Sequence, residues 1–187
     1  RDIYLVGGAV RDLLLNLPFD DVDLAVNGNA IELAQKLAQA AGGELKTHPI
    51  FNTATLKMEQ WNIDIAMLRA ESYARPGALP AVTPGTLAAD LFRRDFTINA
   101  MAVRLNKNGY GELVDLYGGK EDLAKGIIRV LHEQSFTDDA TRIWRAIRYE
   151  QRLEFHIEPA TRRLLKRNLA MLETISGDRI RHEIEAV

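Results

Sequence analysis

Two glycines and two aspartates define the chemistry open to this chain. Gly7 and Gly8 close an apolar run at Ile3 to Val6, and Asp21 and Asp23 stand one residue apart in a second run, Val22 to Val26. Strand side chains alternate with period two, so carboxylates at i and i+2 project to one face. Glycines at a strand end let backbone N–H groups approach an anion closely. A phosphate and a divalent cation then fit side by side, the pairing that nucleotidyl transfer requires. Hard oxygen ligands suit Mg²⁺, which takes one or two carboxylates together with substrate phosphates. A lone Asp-x-Asp has little weight, because turns and strand ends often produce it. Asp64 adds weight, being a carboxylate inside the apolar run Ile63 to Met67. A buried carboxylate without a partner or metal is costly. Asp21 and Asp23 are the expected metal ligands, with Asp64 as a third.

Two further constellations carry side chains suited to a nucleotide. In Arg93-Arg94-Asp95-Phe96-Thr97-Ile98-Asn99-Ala100-Met101-Ala102 the paired arginines suit phosphate. On a helix Asp95 and Asn99 share a face and are placed to grip a ribose hydroxyl. Taken alone, Arg-Arg-Asp is equally the charged first turn of a surface helix. In Asp138-Asp139-Ala140-Thr141-Arg142-Ile143-Trp144-Arg145-Ala146-Ile147-Arg148-Tyr149, Asp139 and Arg142 are adjacent on a helix. They set an acceptor beside a donor, which can pair with a base edge. The plainer account is an exposed salt bridge worth a few tenths of a kcal/mol. Arg145 and Arg148 step by three from Arg142, so the three drift around the helix and do not all meet one ligand. His48, His132, His156 and His182 have no ligand spacing, and no nucleophilic triad or P-loop pattern is present.

Strands are expected at Ile3 to Val6, Val22 to Val26, Thr53 to Met58, Ile63 to Met67 and Val103 to Leu105. Between them fall a short helix from Ala9 to Leu15 and a longer one from Ala30, capped by Asn29 and stopped by Gly42-Gly43. Residues 69–88, with Pro76, Pro80 and Pro84, show no period and are expected to be a long loop. Asp90 to Ala102 reads as a helix. Strand signals vanish after Ser135. Thr137 or Asp138 is then placed to cap a helix burying Ile143, Ala146, Ile147 and Leu153. Pro159 opens another helix, with Leu164, Leu165 and Leu169 inward, and Ser176-Gly177-Asp178 caps a last one. The expected fold is α+β, a mixed sheet of about five strands flanked by helices and followed by an all-helical part. The domains are expected at residues 1–130 and 131–187.

The 187 residues are 47% hydrophobic, enough for a real core. The absence of Cys excludes disulfides and thiolate metal sites. No signal peptide or membrane-length apolar run opens the chain, so a cytoplasmic location without membrane contact is the default. The abrupt start and the helical pattern at the end suggest a fragment of a longer protein. Net charge is only −2. Yet residues 1–141 are acidic on balance, while residues 142–181 hold ten Lys and Arg against five Asp and Glu. The first part suits cations and the second phosphates, although two solvated surfaces of opposite sign would look the same.

In this order the three constellations resemble class II tRNA nucleotidyltransferases (CCA-adding enzymes) and bacterial poly(A) polymerases, of the polymerase-β-like nucleotidyltransferase superfamily. Gly7-Gly8-x-Val10-Arg11-Asp12 with Asp21-x-Asp23 resembles the first motif of that family and Arg93 to Ala102 the second. Asp138-Asp139-x-x-Arg142 resembles its nucleotide-selecting motif, with Asp where many members carry Glu at 138. Asp178-Arg179-Ile180 to Glu183 resembles its last neck motif. Asn16 stands where Gly is usual. The resemblance implies a catalytic head and a helical neck, with Mg²⁺ on Asp21 and Asp23. It implies triphosphate contacts from Gly7, Gly8, Arg11, Arg93 and Arg94. It also implies a protein template of Asp139 and Arg142 for CTP or ATP. Arg145 and Arg148 are expected among the nucleotide-binding residues, with some of these arginines on phosphates and others on solvent or acidic partners. The 69–88 stretch corresponds to one associated with switching from C to A addition. The expected activity is addition of C and/or A to the tRNA 3′ end. The alternatives are poly(A) addition, CC-only or A-only addition, and an RNA-binding module with an inactive face. The body and tail that hold tRNA in the family are missing, and the resemblance leaves the oligomeric state open.

Overall fold

The computed structural model describes residues 1–75, 78 and 80–185. In chain order it contains β1 (Ile3–Val6), α1 (Gly8–Leu14), β2 (Asp21–Val26), α2 (Ala30–Ala41), β3 (Glu44–His48), β4 (Thr53–Lys57), β5 (Asn62–Met67), β6 (Arg69–Ser72), β7 (Ala81–Pro84) and α3 (Leu87–Phe92). These are followed by β8 (Met101–Arg104), β9 (Leu113–Asp115), α4 (Gly119–Lys125), β10 (Ile127–Ile128), α5 (Ser135–Asp138), α6 (Thr141–Arg152), β11 (His156–Ile157), α7 (Pro159–Arg167) and α8 (Gly177–Glu185). The main sheet has seven strands, ordered β3-β4-β5-β2-β1-β8-β9. Its one parallel pair is β2 with β5, and the other neighbours run antiparallel.

The two faces of the sheet differ because the strands alternate. Ile3, Leu5, Leu24 and Ile63 point to the side covered by α1 and α2, where Ala30 and Ala34 of α2 are fully buried. Tyr4, Val6, Ala25 and Ala102 point the other way, against Leu68 and Leu91. Asp21 and Asp23 share that second face. Asn29 caps α2 by accepting from the Glu32 backbone N–H, and Gly42 ends it with φ of +77°. Asn16 takes φ of +55°, the left-handed conformation that its side chain tolerates, so the turn after α1 closes without Gly.

The expected helix over Asp90 to Ala102 does not form. Helix α3 ends at Phe92, Arg93 and Arg94 follow it, Thr97–Asn99 is a 3₁₀ turn, and Met101 already belongs to β8. Gly119 explains the tight turn. A Cβ there would meet the Thr97 carbonyl oxygen at 2.2 Å, so the start of α4 packs directly on that backbone. The expected loop over 69–88 instead contains the β6–β7 hairpin and the start of α3. The Pro76 to Pro80 run lies partly outside the described residues. Strand β3 was not expected, although Glu44-Leu45-Lys46-Thr47-His48 alternates, and β9 was also missed. The sheet therefore exceeds five strands.

The helices after residue 130 pack on the sheet rather than apart from it. One cluster contains Leu5, Val10, Phe96 and Met101 together with Phe136, Ile143, Ala146 and Leu165. Strand β11 pairs with β10, and Val130 bridges to Phe96. Ile147 and Leu169, expected inside, are 40% and 47% exposed. Phe96 is fully buried and packs edge-on to Tyr149. Phe96→Ala should cost about 3–5 kcal/mol, the usual range for a buried phenyl ring. In a Trp61→Phe background Trp144 reports on α6, and its urea transition should coincide with that of far-UV circular dichroism. Two separated transitions would show that the parts unfold independently.

Candidate active site

The carboxylates meet through strand register. Asp23 lies opposite Asp64 on the parallel strand β5 and opposite Val6 on β1, while Asp21 lies opposite Asn62. All three carboxylates therefore occupy one face. The Asp23 carboxyl is raised above its ordinary value, first by loss of surrounding water and then by repulsion from Asp64 and Asp21, against the pull of Arg94. A divalent cation would relieve that repulsion. Among the described residues no group of three or more Asp, Glu, His or Cys is arranged to hold a metal. Asp64 instead accepts a short hydrogen bond from the Thr55 hydroxyl, and Asp21 accepts from the Asn62 amide at 3.2 Å. The donor set fits a hard cation that takes two carboxylates and completes its shell with phosphate oxygens.

Gly7 ends β1 with φ of +73°, and a Cβ there would lie 2.8 Å from Arg94 Nη1 and 3.2 Å from Asp23 Oδ2. Only glycine lets the strand end approach both charges so closely. Asp90, 1% exposed, fixes the arginines. Its Oδ1 accepts from Arg93 Nη2 at 2.9 Å and its Oδ2 from Arg94 Nη2 at 3.0 Å. Burial works against the Asp90 charge, but Arg94 and Arg93 outweigh it and hold the carboxyl below its usual range. Arg93 also pairs with Glu71 of β6, which accepts in turn from the Tyr73 hydroxyl. Among the described residues the buried Nε of Arg94 has no hydrogen-bond partner, a donor left over for an anion.

Asp95 and Asn99 meet, although not as successive turns of a helix. The Asn99 amide donates to Asp95 Oδ1 at 3.0 Å, and Arg11 Nη1 donates to Asn99 Oδ1 at 2.7 Å. Asp95 Oδ2 accepts from Arg145 Nε at 2.8 Å. Burial disfavours the Asp95 charge, yet Arg145 and Asn99 prevail and lower its pKa. Arg11 is 3% exposed and grips Asp12 through two hydrogen bonds of 2.8 Å. It braces Asn99 and does not line the cavity.

A cavity of about 570 Å³ joins these groups to the helical part. Gly7, Gly8, Asp23, Arg93, Arg94, Asp95 and Asn99 line it together with Asp139, Arg142, Arg145 and Tyr149. Asp139 does not sit on a helix beside Arg142. It follows α5 in extended conformation, and its Oδ1 accepts from the Thr141 N–H and hydroxyl at the start of α6. The N-cap position of α6 is therefore Ala140 and neither Thr137 nor Asp138, with the Asp139 carboxylate reaching the first residue of the helix from just before it. Its carboxylate also meets Arg179 of α8 at 3.1 Å. Arg148 turns away from the cavity, as a step of three dictates, and pairs with Glu183 at 2.7 Å. A second recess of about 410 Å³ has Asp23, Asp64, Thr55 and Arg94 in its walls, so Asp23 borders both spaces.

Sequence reasoning missed Asp90, Glu71 and Ser135, and gave no individual role to Tyr149 or Arg179 within the motifs that contain them. Asp90 had a signal, three and four residues before the arginines it holds. Ser135 reaches Arg142 from the neighbouring helix, a contact that helical spacing does not mark, and the others depend on contacts between elements distant in the chain.

Over residues 3–129 the chain matches the family model described as the poly A polymerase head domain. The A-adding tRNA nucleotidyltransferase of Aquifex aeolicus is 48% identical over 184 residues, 97% of this chain and 22% of that protein. The CC-adding tRNA nucleotidyltransferase of Deinococcus radiodurans is 43% identical over 159 residues, 84% of this chain and 42% of that protein. A solved apo form of a CCA-adding enzyme superposes with a TM-score of 0.90 at 48% identity, covering 98% of this chain and 44% of its own. The chain spans less than half the length of each of these relatives. Its mixed sheet flanked by helices is the polymerase-β-like head of that superfamily. The chain belongs to the poly(A) polymerase head-domain family.

Proposed function

We propose that this chain forms the catalytic and nucleotide-selecting part of a tRNA nucleotidyltransferase. That protein would add C and/or A from CTP or ATP to the tRNA 3′ end without a nucleic-acid template. The observation that carries this reading is one cavity holding Gly7, Asp23 and Arg94 together with Asp139 and Arg142. Relatives named A-adding, CC-adding and CCA-adding enzymes support the substrate class. Solved relatives with tRNA, CTP and ATP bound do so as well. An A-only activity has added support from three relatives of that name at 44–48% identity.

Asp21 and Asp23 would hold Mg²⁺. The ion would neutralise triphosphate charge and lower the pKa of the attacking hydroxyl. The Gly7 loop, Arg93 and Arg94 orient the triphosphate. Asp95 and Asn99 face the ribose, and Arg145 keeps the Asp95 carboxylate ionised as an acceptor. Asp64 stands in the second recess, where the RNA 3′-hydroxyl would approach. Cytosine and adenine each present an exocyclic amine beside a ring nitrogen acceptor, whereas uracil and guanine present a carbonyl beside an N–H. A carboxylate at Asp139 with a guanidinium at Arg142 complements the first arrangement and opposes the second. Residues 131–187 thus select the nucleotide, and residues 1–130 carry the phosphate chemistry.

Asp23→Ala should lower nucleotide incorporation by about a hundredfold or more while leaving the circular dichroism spectrum unchanged. An active, folded Asp23→Ala would overturn the metal assignment. With tRNA lacking its 3′ end and each labelled NTP supplied singly and in pairs, the full-length protein should incorporate C, A or both. Product lengths separate CC, A, CCA and poly(A) addition. Arg142→Ala should reduce discrimination against UTP and GTP at least tenfold, as loss of a paired base contact implies. Unchanged discrimination would remove the template role.

A further inference from the structure

Arg142 is held differently from the other arginines around the cavity. Arg93 and Arg94 share Asp90, Arg145 pairs with Asp95, and Arg148 pairs with Glu183. Among the described residues Arg142 has no carboxylate at ion-pair distance. The residue is 6% exposed, and its guanidinium is fixed by two neutral acceptors. Nη1 donates to the Ser135 hydroxyl at 2.8 Å, and Nη2 donates to the Arg93 backbone carbonyl at 2.7 Å. Asp95 and Asp138 sense its charge only across longer distances, so no carboxylate occupies its donors, and its orientation rests on those two anchors.

Only one of the anchors is a side chain. Ser135 is fully buried at the start of α5. Its amide donates to the His132 carbonyl at 3.2 Å, and its own carbonyl accepts from the Asp139 N–H at 3.3 Å. One residue therefore holds the Arg142 side chain through its hydroxyl and the Asp139 backbone through its carbonyl. We infer that Ser135 is the positioning residue that sets the Arg142 guanidinium for base selection, an inference that rests on the template role given to Arg142 above. Without the hydroxyl, a buried N–H of Arg142 loses its acceptor, and the guanidinium plane turns to regain one. The donors aimed at the ring nitrogen of cytosine or adenine then leave their line, while the carboxylates and the phosphate loop stay in place.

The test uses the full-length protein with tRNA lacking its 3′ end and CTP, ATP, UTP or GTP as the single nucleotide. Ser135→Ala removes the acceptor, and Ser135→Cys keeps the volume with a much weaker one. Both should raise KM for the correct nucleotide and lower its discrimination against UTP and GTP by about tenfold, the scale of one hydrogen bond to a charged group. Their kcat at saturating correct nucleotide should change little, and Ser135→Thr, which restores a hydroxyl, should recover discrimination. Arg142→Ala is measured in parallel. If it loses discrimination while folded Ser135→Ala and Ser135→Cys keep theirs, Ser135 does not position it and the inference fails alone. If Arg142→Ala also keeps discrimination, the template reading fails first. Failure of both Ser135 variants to fold would overturn the inference as well, making the residue a requirement of folding alone.

Discussion

The ion pair between Asp95 and Arg145 is the interaction on which the rest of the site depends. It joins the turn before the 3₁₀ segment to α6, and both ends continue into further contacts. Asp95 leads through Asn99 to Arg11 and Asp12 on α1, the helix behind the phosphate loop. Arg145 leads to the Tyr149 hydroxyl at 3.2 Å, with Arg11, Arg145 and Arg148 all 5.0–5.7 Å from the centre of that ring. Removing Arg145 would strand the buried Asp95 charge, at a cost below the roughly 3–5 kcal/mol of a fully buried pair because the Arg145 side chain is 31% exposed. Replacing both by apolar side chains would be less damaging to the fold. Retaining the pair therefore makes more sense as a means of register, since it fixes how α6 sits against the strand ends.

The same economy of charge explains why the cavity carries both signs without collapsing. Asp90 lies beneath Arg93 and Arg94, so two cations share one buried anion and keep donors for a ligand. Glu71 extends the arrangement to the β6–β7 hairpin. On the other wall Asp139 is held by Thr141 and Arg179, and α8 is held to α6 through Glu183. Arg93, Arg94, Asp95 and Asp139 are each fixed by an oppositely charged neighbour. Arg142, held by neutral oxygens, is the exception.

Much of this site was legible in the sequence because its signals are local. Gly7-Gly8, the i and i+2 aspartates, and Asn29 with Gly42 as helix bounds all follow from backbone rules within a few residues. The pairing of Asp95 with Asn99 was anticipated for a different reason than the observed one, since a 3₁₀ turn brings them together. Asp90 to Ala102 misled because Ile98, Met101 and Ala102 mimic helical spacing, whereas tertiary packing on β1 pulls Met101 into a strand. The β6–β7 hairpin was hidden by Pro80, just before β7, and Pro84 at its end, where a ladder tolerates them. Ile147 and Leu169 looked like core because periodicity marks a face without saying whether anything covers it. The partners of Arg142 and Arg148 lie across elements and left no trace in spacing.

The parallel pairing of β2 with β5 also governs when the protein becomes competent during synthesis. Hairpins can form as soon as their two strands emerge, but parallel strands need the intervening segment to cross over first. Asp23 acquires Asp64 beside it only after α2, β3 and β4 have been made, so the mutual repulsion of the carboxylates arises against an already paired sheet edge. Arg94, which opposes that repulsion, comes about thirty residues later, and Asp139 and Arg142 later still. On a ribosome the segments that carry Gly7, Asp23 and Arg94 would thus be made before the Asp139 and Arg142 wall of the same cavity, so that cavity closes last.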